Sequence, residues 1–339
     1  MRILVTGGCG FIGSNFIRYM LERYDYRILN LDALTYAGNL ENLKGLETDS
    51  RYTFVKGFIQ DPETVKKALR GVDCVVHFAA ESHVDRSITD AHPFIQTNIA
   101  GTQVLIDACR CANTERFVHI STDEVYGSIE KGRFTEETPL TPNSPYSASK
   151  AGSDLLVRAA VKTHGFPAMI TRCSNNYGPY QFPEKFVPLI ITNALENRQI
   201  PLYGDGLNVR DWIYVGDHCS AIDAVVHHGK AGSVYNIGGE AERTNTEVIR
   251  TVLARLGKPD SLITLIDDRP GHDRRYAMDI GKMRSELNWS PPVPFEAGMD
   301  LTIDWYEKNE GWWRRVKSGE YKTYYKEMYE ARIMRDKKP

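Results

Sequence analysis

Two short stretches carry side chains that could do acid–base chemistry together. In Ser121-Thr122-Asp123-Glu124-Val125-Tyr126-Gly127, two adjacent carboxylates directly follow the apolar run Phe117–Ile120, which has the pattern of a buried strand. Open α/β sheets bind ligands at strand C-terminal ends, so an acid pair there is a candidate proton donor and acceptor. In Pro145-Tyr146-Ser147-Ala148-Ser149-Lys150, Ser144 can cap a helix that starts at Pro145. Tyr146 and Lys150 then stand about one turn apart on the same face. The ammonium and the positive helix N-terminus both favour phenolate, so the phenol is expected to fall from ~10 toward neutrality. Taken alone, either stretch also fits solvated surface residues, and the surrounding elements must decide.

The first of those elements is the N-terminal strand Arg2-Ile3-Leu4-Val5, followed by Gly7-Gly8-Cys9-Gly10-Phe11-Ile12-Gly13 and a helical pattern from Ser14 to about Arg23. Glycines in a strand–turn–helix context let the backbone approach a pyrophosphate, whose charge sits over the helix N-terminus. A second strand, Arg27–Asp32, ends in an acid at about the twenty-residue offset expected of a carboxylate that binds ribose hydroxyls. Asp32 precedes Ala33-Leu34-Thr35, with no basic residue for a 2′-phosphate, so NAD is expected rather than NADP. Beside a nicotinamide, a phenolate near Thr122 is the base needed to take an alcohol proton as hydride leaves the same carbon.

Strand-like runs continue at Thr53–Val55, Cys74–Ala79, Phe117–Ile120 and Ala168–Cys173, separated by helical stretches such as Asn98–Ala112. This alternation predicts an α/β fold, a doubly wound parallel Rossmann sheet with a smaller α+β lobe. The NAD-binding domain is expected over residues 1–172 plus about 211–237. The lobe is expected over about 173–210 and 238–320, with 321–339 as a C-terminal tail. A chain of 339 residues with 42% apolar residues, 25% charged residues and a net charge of -2 shows no bias toward nucleic acid or anionic membranes. It also has no apolar run long enough for a membrane span, and a cytoplasmic protein is expected. The six cysteines lack zinc spacing, so reduced, mostly buried thiols are expected and no metal.

Gly7, Gly10 and Gly13, the Tyr146–Lys150 pair and Asn175-Asn176-Tyr177-Gly178-Pro179 together resemble an extended short-chain dehydrogenase/reductase. Thr122-Asp123-Glu124 narrows the resemblance to the dTDP-glucose 4,6-dehydratase family, because 4-epimerases usually carry small or hydroxylated residues at the two acids. The likeness includes Ala80-Glu81-Ser82-His83-Val84-Asp85-Arg86-Ser87, Pro183-Glu184-Lys185 and Asn208-Val209-Arg210-Asp211-Trp212. It implies NAD bound by Gly7, Gly10, Phe11, Ile12, Gly13, Asp32, Leu34, Thr35, Ile59, Phe78, Ala79, Ala80, Ser82, Tyr146 and Lys150. It also implies dTDP-glucose held by Ser82, Thr122, Asn175, Lys185, Pro201, Tyr203, Arg210, Asn245, Arg269 and His272.

The chemistry so implied is oxidation at carbon 4 with Tyr146, Lys150 and Thr122, then loss of water across carbons 5 and 6. Glu124 acts as base and Asp123 as acid, before hydride returns to carbon 6. The two acids then need opposite protonation states. The resemblance further implies a homodimer paired through Asn98–Ala112 and Tyr146–His164. Dehydration of a UDP-sugar, 4-epimerisation, or NAD sensing without turnover are the alternative readings. His83 is expected to be positional, and His227 and His228 exposed. One departure stands out: Phe58 lies where the family has an acid for the adenine amino group, and losing that hydrogen bond costs about 1 kcal/mol, roughly tenfold in affinity. Cys9, where alanine is common, is a milder change.

Overall fold

The computed structural model describes residues 1–268 and 270–319, so Arg269 and the expected tail at 321–339 lie outside the described residues. Strands β1 (Arg2–Thr6), β2 (Arg27–Asp32), β3 (Tyr52–Lys56), β4 (Cys74–His77), β5 (Arg116–Thr122) and β6 (Ala168–Cys173) form the large sheet. It is completed by β10 (Val234–Ile237), which follows β7 (Asn175–Tyr177), β8 (Ile200–Tyr203) and β9 (Val209–Tyr214) in the chain. The seven strands run in the order β10-β6-β5-β4-β1-β2-β3, with every pair parallel. The strands are apolar on both faces because helices cover both. In β1, Ile3 and Val5 join one core cluster while Leu4 joins the other. The chain runs outward from β1 through β2 to β3 and then crosses to β4 on the other side. That reversal opens a crevice beyond the ends of β1 and β4.

Two expected elements differ in extent. The β4 ladder stops at His77, and Phe78-Ala79-Ala80 leaves the sheet to line the crevice. The helix before β5 opens as a π-helical turn, Ile95–Gly101, and becomes α-helical only at Thr102–Cys111. Within that turn Asn98 is buried and donates to the Glu81 carbonyl and to Ser149 Oγ at 2.9 and 2.8 Å, a polar tether that a regular apolar helix face would not supply.

The lobe contains a three-stranded sheet, β11-β9-β7, with β11 at Glu242–Thr244, and a parallel pair of β8 with β12 (Ile263–Ile266). Its core includes Trp212, Ile249, Val252, Ile303 and Trp313. The chain leaves the lobe at Tyr214–Val215, since residues 209–214 find their strand partners in β7 and β11. Helix Val215–His228 then packs on Phe11–Arg23. Ile280, Met283, Leu287 and Trp289, far along the chain, also return to the large sheet's core. Their apolar spacing is that of any buried helix, and sequence alone does not say which core receives them.

The cysteines are free, and all are buried except Cys111. His228 is exposed, but His227 is half-buried, stacked against Tyr26 and held by Asp223 at 2.8 Å, so the expectation for it is corrected. Among the described residues no helix is long and apolar enough to cross a membrane, and no group of three or more potential ligands could hold a metal ion.

The turn after β5 depends on one backbone conformation. Gly127 ends the 3-10 turn Asp123–Tyr126 at φ 80°, and a Cβ there would collide with the Thr141 carbonyl. Gly127→Ala is expected to destabilise the protein by about 2 kcal/mol or more, measured as the shift in denaturant midpoint at unchanged slope.

Candidate active site

The ends of β1, β4, β5 and β6 enclose a cavity of about 570 Å³. Its floor is the glycine loop. Gly7 has φ 73°, and a Cβ on it would sit 2.6 Å from the Ala79 amide nitrogen. A Cβ on Gly13 would sit 2.5 Å from the Gly7 carbonyl, so side chains are excluded where a pyrophosphate must approach. Asp32, at the end of β2, is buried and accepts from the Cys9 and Leu34 amides at 2.8 and 2.7 Å. Burial raises its pKa while those two amides oppose the rise. Around it the cavity is lined by Ala33, Thr35, Ala37 and Gly38, all neutral, which suits a ribose with free hydroxyls and leaves a 2′-phosphate without a partner. The chain's own residues therefore fit NAD. Cys9 faces away from solvent, its sulfur accepting from Asn30 at 3.3 Å, and burial pushes the thiol up to about 12, leaving it inert.

Of the residues expected at the cofactor, Gly7, Gly10, Phe11, Ile12, Gly13, Asp32, Thr35, Ile59, Phe78, Ala79, Ala80, Ser82, Tyr146 and Lys150 line this cavity. Leu34 does not; it takes a left-handed backbone, φ 54°, and contributes its amide to Asp32. Phe58 lines the cavity yet is 54% exposed, an apolar face at the end where an acid was missing.

At the opposite end, Thr122, Asp123, Glu124, Tyr146, Lys150, Asn175 and Lys185 come together. Ser144 caps the Pro145–His164 helix through a reciprocal capping box with Ser147, with Pro145 in the first turn, as the sequence predicts. The Tyr146 amide is held further by Ser87 Oγ at 3.1 Å. Thr122 caps the following 3-10 turn, accepting from the Glu124 amide at 3.2 Å and donating to Asp123 Oδ1 at 3.2 Å.

Asp123 is 2% exposed, and its second oxygen has no hydrogen-bond partner. Burial, and then the neighbouring Glu124, raise its pKa well above the carboxylate range, with Arg210 opposing. Burial thus favours the protonated form, the one that can donate a proton. Glu124 is half-buried. The Tyr276 phenol, which Glu124 also helps to push up, donates to Asp273 at 2.5 Å.

The expected fall of the Tyr146 phenol is corrected. Desolvation, then Glu124, drive it well above its ordinary value, with a hydrogen bond from Thr122 opposing. The Lys150 ammonium donates to the Ile120 carbonyl at 2.7 Å. Lys150 is itself lowered to about 8 by burial, partly countered by Asp154.

The lobe residues sit farther out. Lys185 lines the cavity and donates to the Ser82 carbonyl at 2.7 Å. Pro201, Tyr203, Arg210, Asn245 and His272 are not among the lining residues. Pro201 and Tyr203 lie on β8, where Tyr203 donates to Asp85 at 3.3 Å and meets His272 edge-on at 6.0 Å. Arg210 is buried over the Tyr276 ring at 4.3 Å and donates to the Asp273 carbonyl at 2.9 Å. The Asn245 amide donates to Asn208, which reaches the same Asp273 carbonyl at 3.1 Å. His83 caps the helix Val84–Thr89 and stands 3.5 Å from Glu184, a positional geometry.

The chain that builds this site is similar to known proteins over nearly all of its length. The family model described as GDP-mannose 4,6 dehydratase matches residues 4–302. The dTDP-glucose 4,6-dehydratase of Xanthomonas campestris pv. campestris (strain B100) is 52% identical over 94% of this chain and 97% of its own length. The chain belongs to the dTDP-glucose 4,6-dehydratase family.

A solved member of the family from Streptomyces venezuelae, with NAD bound, superposes with TM-score 0.92 at 52% identity, covering 94% of this chain and 100% of that one. Another from Bacillus anthracis str. Ames, in complex with NAD, gives TM-score 0.89 at 53% identity over the same shares. Within this family member, sequence reasoning missed Asn98, Asp273's hold on Tyr276, and Ser87 beneath Tyr146. Asn98 carried a signal, a polar residue in a run otherwise read as an amphipathic helix. Tyr276 carried none, because only the lobe's folding brings it beside Glu124.

Lys150 is expected to titrate near pH 8 in the ligand-free protein, followed by NMR of its labelled side chain with a Lys150→Met variant for assignment. A midpoint near the ordinary lysine value would contradict the burial described here.

Proposed function

We propose that the protein dehydrates dTDP-glucose to dTDP-4-keto-6-deoxyglucose, as an NAD-dependent hydro-lyase that ends each turnover with its cofactor as it began. The observation that carries this reading is the buried Asp123 beside Glu124, within the same cavity as Tyr146 and Lys150. When bound, NAD accepts hydride from carbon 4 of the sugar and gives it back at carbon 6.

The protein's residues supply everything else. Tyr146 takes the proton of the carbon 4 hydroxyl as hydride leaves that carbon. Thr122 steadies the phenolate, and charged Lys150 stabilises it. Oxidation at carbon 4 acidifies the carbon 5 proton, which Glu124 removes while Asp123 protonates the departing carbon 6 hydroxyl. An epimerase needs no such proton donor. Lys185 and Asn175 at the cavity wall, with Arg210, hold the diphosphate and sugar. Pro201, Tyr203, Asn245, Arg269 and His272 complete the nucleotide side.

Residues 1–172 and 215–237, with 280–289, serve as the cofactor-binding unit, and the remainder as the nucleotide-sugar lobe. A cytoplasmic homodimer, joined through the helices around Ile95–Cys111 and Pro145–His164, is the assembly this reading includes. The exposed Ile95 and Leu155 on those helices support it.

Asp123→Asn with Glu124→Gln is expected to keep reduction of bound NAD by dTDP-glucose while cutting product formation by about 100-fold or more, the range of a general acid–base contribution. Stopped-flow absorbance of the reduced nicotinamide, alongside product NMR, separates the two; undiminished product would overturn the roles given to the acids. Tyr146→Phe should abolish both signals. Competing dTDP-glucose against UDP-glucose under identical conditions is expected to favour the thymidine nucleotide, and a preference for UDP-glucose would move the substrate assignment.

A further inference from the structure

Lys150 is buried, and an ammonium inside a fold persists only if something there favours its charge. Its hydrogen-bond acceptor, the Ile120 carbonyl, is neutral. One helical turn further along, Asp154 is 1% exposed. Its carboxylate accepts from Arg172 Nε at 2.9 Å and lies 3.4 Å from His119 Nε2. Arg172, on β6, continues the chain of contacts: it donates to the Tyr126 hydroxyl at 2.8 Å, and Tyr126 donates to Asn236 on β10 at 2.7 Å. Tyr126 closes the same 3-10 turn that carries Asp123 and Glu124. Asp154 therefore joins the helix bearing Tyr146 and Lys150 to the turn bearing the acid pair.

We infer that Asp154 is a positioning residue: it is the buried carboxylate that keeps Lys150 charged and, through Arg172 and Tyr126, fixes the Tyr–Lys helix against the acid-pair turn. This rests on the oxidation role proposed above for Tyr146 and Lys150. The other groups around Lys150 do not supply that charge. His77 on β4 and His119 on β5 are held neutral by burial, Cys173 on β6 is a thiol pushed up to about 12, and Asp123 is neutral. Tyr146, on the same helix, is pushed toward its protonated form by burial and then by Glu124. Asp154 keeps its charge: although burial opposes it, His119 and Arg172 hold its pKa below the ordinary aspartate value.

The test compares the wild-type protein with Asp154→Asn, Asp154→Glu and the double variant Asp154→Asn with Arg172→Met. Two readouts are followed against pH: reduction of bound NAD on mixing with dTDP-glucose, and the NMR titration of Lys150 in the ligand-free protein. Removing the carboxylate should lower the Lys150 midpoint and the basic limb of the reduction rate by about one pH unit, about tenfold in the protonated fraction above the midpoint. Asp154→Glu should restore both. The single Asn variant leaves Arg172 buried and unpaired and can fail to fold; the double variant removes that unpaired charge and should still titrate below the wild type. Unmoved midpoint and limb in the Asn-containing variants that fold would overturn the inference. If the wild-type protein fails to reduce NAD with dTDP-glucose, the proposed function fails instead, and the Lys150 titration still decides the role of Asp154.

Discussion

Removal of Asp123, Tyr146 and Lys150 from water decides which of them can carry charge, and the rest of the structure is arranged around that constraint. A parallel sheet covered on both faces leaves polar groups a place only at its strand ends. There the end of β5 puts Thr122, Asp123 and Glu124 beside the first turn of the Pro145–His164 helix. Burial moves the three groups in the directions that cost least: the carboxyl and the phenol toward their neutral forms, the ammonium toward losing its proton. The two adjacent acids thereby differ in environment, since Asp123 is buried and Glu124 only half-buried at the same cavity.

The backbone devices around the site serve the same end. The capping box at Ser144 and the Ser87 contact fix where Tyr146 enters the cavity. Gly127 ends the acid turn tightly enough for Thr141 to pack over it, with the Thr141 amide bonded to the Val125 carbonyl at 3.0 Å. The π turn at Ile95–Gly101 turns Asn98 inward to bridge Glu81 and Ser149. Each restrains an element that lines the cavity through contacts next to it in the chain or on a neighbouring element.

Much of this was legible in the sequence because it is local. The glycine loop, Asp32, the strand ends and the Tyr–Lys helix are specified by residues within one or two turns of each other, and their periodicity or caps announce them. The Ser144 cap and the strands at Arg27–Asp32 and Ala168–Cys173 fall where the pattern places them. What was not legible depends on distance in the chain. One helical turn of spacing suggested that Lys150 would charge the phenol, yet the ammonium found the Ile120 carbonyl on another strand, and burial reversed the direction expected for Tyr146. Likewise Arg210 and Asp211 are neighbours in the sequence. In the fold the two diverge: Arg210 packs on Tyr276 and bonds the Asp273 carbonyl, whereas Asp211 accepts the Ala241 amide at 2.8 Å. Strand alternation sends adjacent side chains to opposite faces, and only the folded lobe shows what each face meets.

In the proposed reaction one site oxidises carbon 4, expels water across carbons 5 and 6, and reduces carbon 6 without releasing reducing equivalents. Incubating the protein and NAD with dTDP-glucose carrying deuterium at carbon 4, and reading the product by NMR and mass spectrometry, tests it directly. The expected product is a 4-keto-6-deoxy sugar with the deuterium at carbon 6 and no net reduced cofactor. Recovery of the 4-epimer with deuterium still at carbon 4, or a keto sugar whose deuterium has been lost to solvent, would contradict it.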